Sequence, residues 1–246
     1  MKNLLLILAF FISFQVTAQE EDDGYVMYQT ILLTPKDGQG QQLRAGLKGH
    51  NDQFHQEGAQ AVNVWQINSG PRFGSLLWVK GPLTWTDMDA PLEEGGHMDD
   101  WRANVAPNAD LEVMEFWRMA DGMNYSPEGF TPELIVMRYF DIKPQKGDNA
   151  SDIWDSIFKL YQEKNWDTGL QIYSNQANAG DGRDWAILWF HENWASMDKD
   201  RDFFGAYEEM YGVDRGEFFE RWDGASEYKG MEIMTLVPEL SAVETE

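Results

Sequence analysis

The chain has 246 residues, no cysteine, 42 acidic against 19 basic side chains and a formal charge of −23. Without cysteine it can form neither disulfides nor thiolate metal sites, so its stability has to come from an apolar core. The acidic excess argues against nucleic acid and anionic lipid as direct partners, and an aromatic content of 14%, with eleven tryptophans, argues against a disordered acidic chain.

Residues 1–18 read as a secretory signal: Lys2 supplies the positive start, Leu4 to Phe14 the apolar run and Val16-Thr17-Ala18 the small-residue cleavage site. That run is too short for a bilayer span, which needs roughly 20 residues. An exported, soluble chain with no membrane insertion, periplasmic or secreted, is expected. Removing 18 of 246 residues leaves about 228, room for one large or two small domains.

An alternating run from Tyr25 to Leu33 predicts a strand, and Leu43, Leu47, His50 and Phe54 at i, i+4, i+7 and i+11 predict one face of a helix. Two strands follow, Ala61 to Ile67 and Ser75 to Lys80, around the turn Asn68-Ser69-Gly70-Pro71. A helical segment around Met98 to Asn104 leads to a fourth strand, Leu111 to Arg118. The segment 120–133, rich in Gly, Pro and polar residues, reads as a linker. The same order then recurs: strand Leu134 to Ile142, helix Ile153 to Glu163, strands Leu170 to Tyr173 and Trp185 to Phe190, a longer helical region Phe203 to Trp222, and strand Met231 to Val237. Residues 239–246 read as an acidic tail.

The recurrence is also visible residue by residue. "YQTILLTPKDG" (Tyr28 to Gly38) matches "MRYFDIKPQKG" (Met137 to Gly147) with Pro35 on Pro144, a spacing of 144 − 35 = 109. "LLWVKGPLTWTDMD" matches "ILWFHENWASMD" with Trp78 on Trp189, 189 − 78 = 111, and Trp85 on Trp194 and Asp89 on Asp198, each 109 apart. The expected fold class is α+β: two βαββαβ ferredoxin-like repeats, 25–119 and 134–238, each a four-stranded antiparallel sheet with helices on one face. On this element order the chain resembles the dimeric α/β-barrel superfamily in a single-chain, tandem form, in which two open sheet faces pack together. The resemblance implies a fold and does not fix a function.

Along each central strand alternate residues face the helices or the barrel interior. Trp185, Ile187, Trp189 and His191 share one side, matched in the first copy by Leu76, Trp78 and Lys80. The bulky indoles and terminal polar groups suggest that this side lines the interior. Under that assignment Gln29, Trp65, Trp78, Lys80, Tyr173 and Trp189 would form a ligand-binding wall. Arg138, equivalent to Gln29, would be either a salt-bridged structural residue or an anion-orienting group.

His191 is the side chain suited to acid–base chemistry near neutral pH, helped by Glu192 or a carboxylate across the barrel. His50 reads as a helix core-face residue, His55 as solvent-facing, and His97 lies in the Gly-rich "EEGGH". Four histidines without HxH, HxxxH or HExxH spacing give no zinc or non-haem iron signature, so no metal is expected. No cofactor is expected either, although related barrels include haem proteins with one axial His, a place His191 could formally take. Asp198, Asp200, Asp202 and Glu209 resemble a calcium loop, but Phe203 stands where glycine is required, and the acids read better as a helix N-cap.

Three readings follow. The first is an exported protein that binds a small apolar or aromatic ligand in a Trp-lined barrel cavity. The second is a cofactor-independent monooxygenase or lyase-like enzyme with His191 as base, Arg138 as orienting cation and Tyr28 or Tyr173 as donor. The third is a structural barrel whose interior is filled.

Overall fold

A computed structural model of the chain describes residues 24–89, 94–177 and 180–242. The secretory signal read at 1–18 lies outside the described residues. Among those described, no helix is long and apolar enough to cross a membrane.

The first repeat begins with strand β1 (Met27–Pro35), which ends where proline withholds its backbone donor. Helix α1 (Gly40–Phe54) buries Leu43, Leu47, His50 and Asn51, one stripe at i, i+4, i+7 and i+8. Strands β2 (Val62–Ile67) and β3 (Leu76–Leu83) pair as a hairpin. The one-turn helix α2 (His97–Asp100) continues as a wide turn over Trp101–Val105. Strand β4 (Ala109–Tyr125) is longer than the sequence pattern suggested, because Asn124 and Tyr125 still pair with Gln171 and Leu170 of the second repeat. The first part of the expected linker is therefore strand.

The second repeat consists of β5 (Leu134–Ile142), α3 (Gly147–Lys164), β6 (Gly169–Asn175), β7 (Trp185–His191), α4 (Phe203–Tyr211), α5 (Arg215–Ala225) and β8 (Ser226–Leu236). The single long helical region expected at its end is two helices. Gly212 at φ 67° leaves the right-handed helix, and Asp214 starts α5 by accepting from the Glu217 amide. Asp202 caps α4 through the Gly205 amide, so the acidic run acts as the cap the sequence suggested.

The eight strands close into an antiparallel barrel in the order β1-β3-β2-β8-β5-β7-β6-β4. Each repeat contributes one ferredoxin-like sheet, β4-β1-β3-β2 and β8-β5-β7-β6, and the sheets join at the seams β2·β8 and β4·β6. Closure leaves no free edge. Helices cover the outside of both sheets, and Leu32, Trp65, Ile67, Leu77, Trp117, Ile135 and Met234 pack within the barrel.

A pair of buried ion pairs ties the seams. Arg72, from the β2–β3 turn, binds Glu232 of β8, with Nε to Oε1 at 2.7 Å, and donates to the Tyr139 hydroxyl at 2.6 Å. Arg183, from the β6–β7 turn, binds Glu115 of β4 at 2.9 Å. The two arginines are 183 − 72 = 111 residues apart, the offset of Trp78 and Trp189, and both lie over the ring of Tyr139, at 5.4 and 5.5 Å. Each pair joins one repeat to the other.

The C-terminal segment also departs from expectation. Leu240 is buried in the core beneath α1, its carbonyl accepts from Asn51, and Ala242 donates to the carbonyl of Val62. Residues 238–242 are thus docked along β2, because Val237 and Leu240 supply apolar surface that α1 alone does not cover. The remainder of the expected acidic tail, 243–246, lies outside the described residues.

Candidate functional site

On β3 and β7 the strand faces are reversed relative to the sequence assignment. Ala186, Leu188 and Phe190, with Leu77 and Val79, face a cavity of about 390 Å³ inside the barrel, whereas Trp78 and Trp189 face the helices. The indole nitrogens explain why. A buried indole N–H needs an acceptor, and the helices provide one: Trp78 donates to Asn51 Oδ1 of α1 at 3.1 Å, and Trp189 to the Tyr161 hydroxyl of α3 at 2.8 Å.

Of the predicted wall, Trp65 and Tyr173 line the interior cavity together with Tyr28 and Trp117. Trp78, Lys80, Gln29, Arg138, Trp189 and His191 lie on the outer, helix-covered side. Gln29 is buried and donates to Met114 Sδ at 3.2 Å. Lys80 is half-buried with its amine 4.0 Å from Met88 Sδ, and burial lowers its pKa. The interior therefore holds a cavity of its own rather than being wholly filled.

A larger cavity, about 800 Å³, lies between the outer face of the second sheet and its helices. The helices contribute Tyr161 from α3, Phe203 and Phe204 from α4, and Phe218, Phe219 and Trp222 from α5. The sheet contributes Val136, Arg138, Trp189 and His191. These walls are largely aromatic, with few polar groups, a composition suited to a planar ligand.

His191 is 7% exposed. Its Nδ1 lies 3.1 Å from Ser196 Oγ, and that hydroxyl already donates its one hydrogen to the Asn193 carbonyl at 2.7 Å. The imidazole must therefore be the donor, which places the hydrogen on Nδ1 and the lone pair on Nε2. Among the described residues Nε2 has no hydrogen-bond partner. Burial, reinforced by the charge of Arg201 and opposed by Asp167, pushes the His191 pKa down to about 4, so the ring is neutral at physiological pH. The expected help from Glu192 is absent: that residue is exposed, and Ser196 holds the ring instead.

Arg138 was expected to be buried and paired or to orient an anion. It is exposed, lies 5.1 Å over the indole of Trp189, and forms no ion pair among the described residues. Its charge is available at the cavity wall. Tyr161 is the donor that sequence reasoning missed. Its oxygen accepts from Trp189, which leaves its own hydrogen free, and burial pushes its pKa up to about 12. The i+4 spacing of Ile157 and Tyr161 marks the buried stripe of α3, but the cavity beneath it depends on α4 and α5.

The reading of His55 as solvent-facing also fails. His50, His55 and His97 converge in the first repeat, with their ligand atoms all within 4.8 Å of one another, and His55 is 1% exposed rather than solvent-facing. The reason is local: His55 is the residue at which α1 stops, so its ring turns back on the helix end.

No family model matches the chain, and no curated protein matches it. Solved structures do. A chlorite dismutase from Candidatus Nitrospira defluvii superposes with a TM-score of 0.56 at 8% identity, over 87% of this chain and 92% of that one. An anthrone oxidase-like protein gives 0.55 at 10% identity, over 88% and 92%. A proposed monooxygenase from Lactobacillus acidophilus gives 0.54 at 13% identity, over 90% and 97%. This chain is a dimeric-type α/β barrel folded from one polypeptide. In this tandem barrel the outer cavity is a feature of the second repeat.

Haem, which the superfamily resemblance raised, can be tested against these walls. It is a planar macrocycle bearing two carboxylates, and the residues lining the cavity include one imidazole, His191, one cation, Arg138, and one acid, Asp223. This donor set does not fit haem, and no step below uses it.

Proposed function

We propose that the tandem barrel binds a small fused-ring aromatic molecule in the outer cavity of its second repeat and removes a proton from it. One observation carries this reading: His191 is neutral, with Nδ1–H committed to Ser196 and its Nε2 lone pair left without a partner in the wall of a large aromatic cavity. A neutral imidazole with a free lone pair is able to accept a proton.

The surrounding groups suit the charge that such a step creates. When an acidic ring C–H next to a ketone, as in an anthrone, loses its proton to Nε2, the bonding pair moves to the carbonyl oxygen and an enolate forms. The Arg138 guanidinium offsets the negative charge, and the Tyr161 hydroxyl can donate to the oxygen because burial keeps it protonated. The anthrone oxidase-like and monooxygenase neighbours support an enzymatic reading by their names alone. On the export expectation from Lys2 to Ala18, the reaction takes place outside the cytoplasm.

The test uses anthrone in deuterated buffer. Wild-type protein is expected to accelerate exchange of the acidic methylene protons, read by NMR, and His191→Gln to abolish the acceleration while ligand-induced quenching of Trp fluorescence persists. Arg138→Leu should slow exchange by about 10-fold, the loss of one partly solvated charge contact of roughly 1.4 kcal/mol. Exchange that is unaccelerated, or that survives His191→Gln, overturns the proton-transfer reading. Absence of quenching overturns binding as well.

A further inference from the structure

The histidines of the first repeat form a second constellation, distant in sequence from the cavity of the second. His50 Nε2 lies 3.2 Å from His55 Nε2, and His55 Nε2 lies 3.1 Å from His97 Nε2. Each of the first two rings is held from behind. His50 Nδ1 is 2.8 Å from Asp100 Oδ2, and Asp100 is itself fixed by Asn104, which donates to its other oxygen at 2.6 Å. His55 Nδ1 is 2.8 Å from the carbonyl oxygen of Gln60.

Those partners fix where the hydrogens are. A carbonyl oxygen and a carboxylate only accept, so Nδ1 carries the hydrogen in both rings, and the neutral rings present their Nε2 lone pairs to each other. His97 can donate one hydrogen, to one of the two. One lone pair stays opposed to its neighbour in every neutral arrangement. A cation held by all three nitrogens removes the conflict. Two nitrogens bound at about 2.0–2.1 Å to one tetrahedral ion sit about 3.3 Å apart, close to the two short separations here.

We propose that His50, His55 and His97 bind one borderline divalent transition-metal ion of the zinc class. Imidazole donors suit such ions and reject magnesium or calcium, which take oxygen. The Asp100–His50 pair is the carboxylate–histidine arrangement that orients a metal-binding ring. Trp78 and Trp101 wall the site, with ring centroids 5.0 Å from His55 and 5.1 Å from His50. His50 and His55 are fully enclosed and His97 is half-exposed, so entry is on the His97 side and a fourth position is left to water. The sequence delivers this geometry in two places. His55 ends α1, and Gly95 and Gly96, at φ 81° and 82°, make the left-handed turn that sets His97 at the start of α2.

The experiment uses tag-free chain stripped with a chelator and titrated with Zn²⁺ and Co²⁺. About one equivalent should bind, and Co²⁺ should give the intense visible bands of a low-coordinate site. His97→Ala, at the half-exposed ligand, should weaken Zn²⁺ binding at least 10-fold with unchanged circular dichroism. Asp100→Asn should weaken it by about 10-fold through ring orientation alone, whereas His191→Gln should leave it unchanged. No stoichiometric binding by the wild-type chain, or binding unaffected by both His97→Ala and Asp100→Asn, overturns the proposal.

Discussion

Substituting Glu232 with Gln keeps its shape and removes the charge beneath Arg72. The Glu232 side chain is 4% exposed and that of Arg72 17%, so the guanidinium left behind has only the Tyr139 hydroxyl and an amide oxygen to satisfy it. Breaking one side of a buried pair costs about 3–5 kcal/mol, and the partial exposure of Arg72 places this loss near the lower bound, about 3 kcal/mol. At this chain length that lowers Tm by about 6–12 °C. Replacing both partners, Arg72→Leu with Glu232→Leu, removes both desolvation penalties and should return stability to within about 1 kcal/mol of wild type. The assay is urea unfolding followed by Trp fluorescence, with thermal melts alongside, and the cycle of Arg72→Leu, Glu232→Leu and their double gives the coupling. The same change at the other seam, Glu115→Gln, should cost somewhat less, because Arg183 keeps Asp181 as a second carboxylate at 2.7 Å. A loss below about 1 kcal/mol for Glu232→Gln, or a double variant as unstable as the sum of the singles, would refute the view that these pairs lock the seams.

Two further predictions concern the candidate sites. His191 has a folded-state pKa of about 4 against an ordinary value of 6.5, so the unfolded chain binds the proton first as pH falls. Its contribution is fully present above pH 6.5 and is lost towards pH 4, by at most roughly 3 kcal/mol, less where water in the cavity screens the ring. His191→Gln should flatten that part of a stability–pH profile, and an unchanged slope counts against a neutral buried ring. Gly46 on α1 approaches the turn after α2 so closely that an added Cβ would sit 2.0 Å from the Asn104 carbonyl oxygen, whereas at Gly49 it would meet nothing within 4 Å. Gly46→Ala should therefore destabilise by about 1–3 kcal/mol and Gly49→Ala stabilise by up to about 1 kcal/mol; equal melting temperatures would show that α1 and the turn shift apart freely.

The order of elements was legible because hydrophobic period and turn residues are local. β5 has the bounds its apolar run suggests, Leu134 to Ile142, and the Pro35–Pro144 offset announces the duplication before any contact is known. Which side of a strand faces the barrel was not legible, because both sides are dry. Size alone favoured the cavity for Trp78 and Trp189, but the decisive factor was a hydrogen-bond partner for each indole, and Asn51 and Tyr161 are far away in sequence. The histidine cluster escaped for a similar reason. His50 and His55 are five residues apart, a spacing that an unbroken helix does not bring onto one face, and they meet only because α1 ends at Phe54.

The two repeats allow architecture to be separated from function. Each has a tryptophan on its third strand bonded to its long helix, Trp78 to Asn51 and Trp189 to Tyr161, and each sends an arginine across a seam. Those shared features hold the barrel together. What differs is the space between sheet and helices. In the first repeat a short helix brings His97 and Trp101 down onto His50 and His55, and the space is filled by rings. In the second, α4 and α5 form a broader aromatic roof, and a cavity of about 800 Å³ opens beneath it. Lys80 and His191, at matched positions, follow the same division: Lys80 lies close enough for its charge to act on His55 and His97, whereas His191 borders the open cavity. A duplicated fold that closes one outer face around histidines and leaves the other hollow has two places for chemistry, and substitutions in one should leave the other's binding intact.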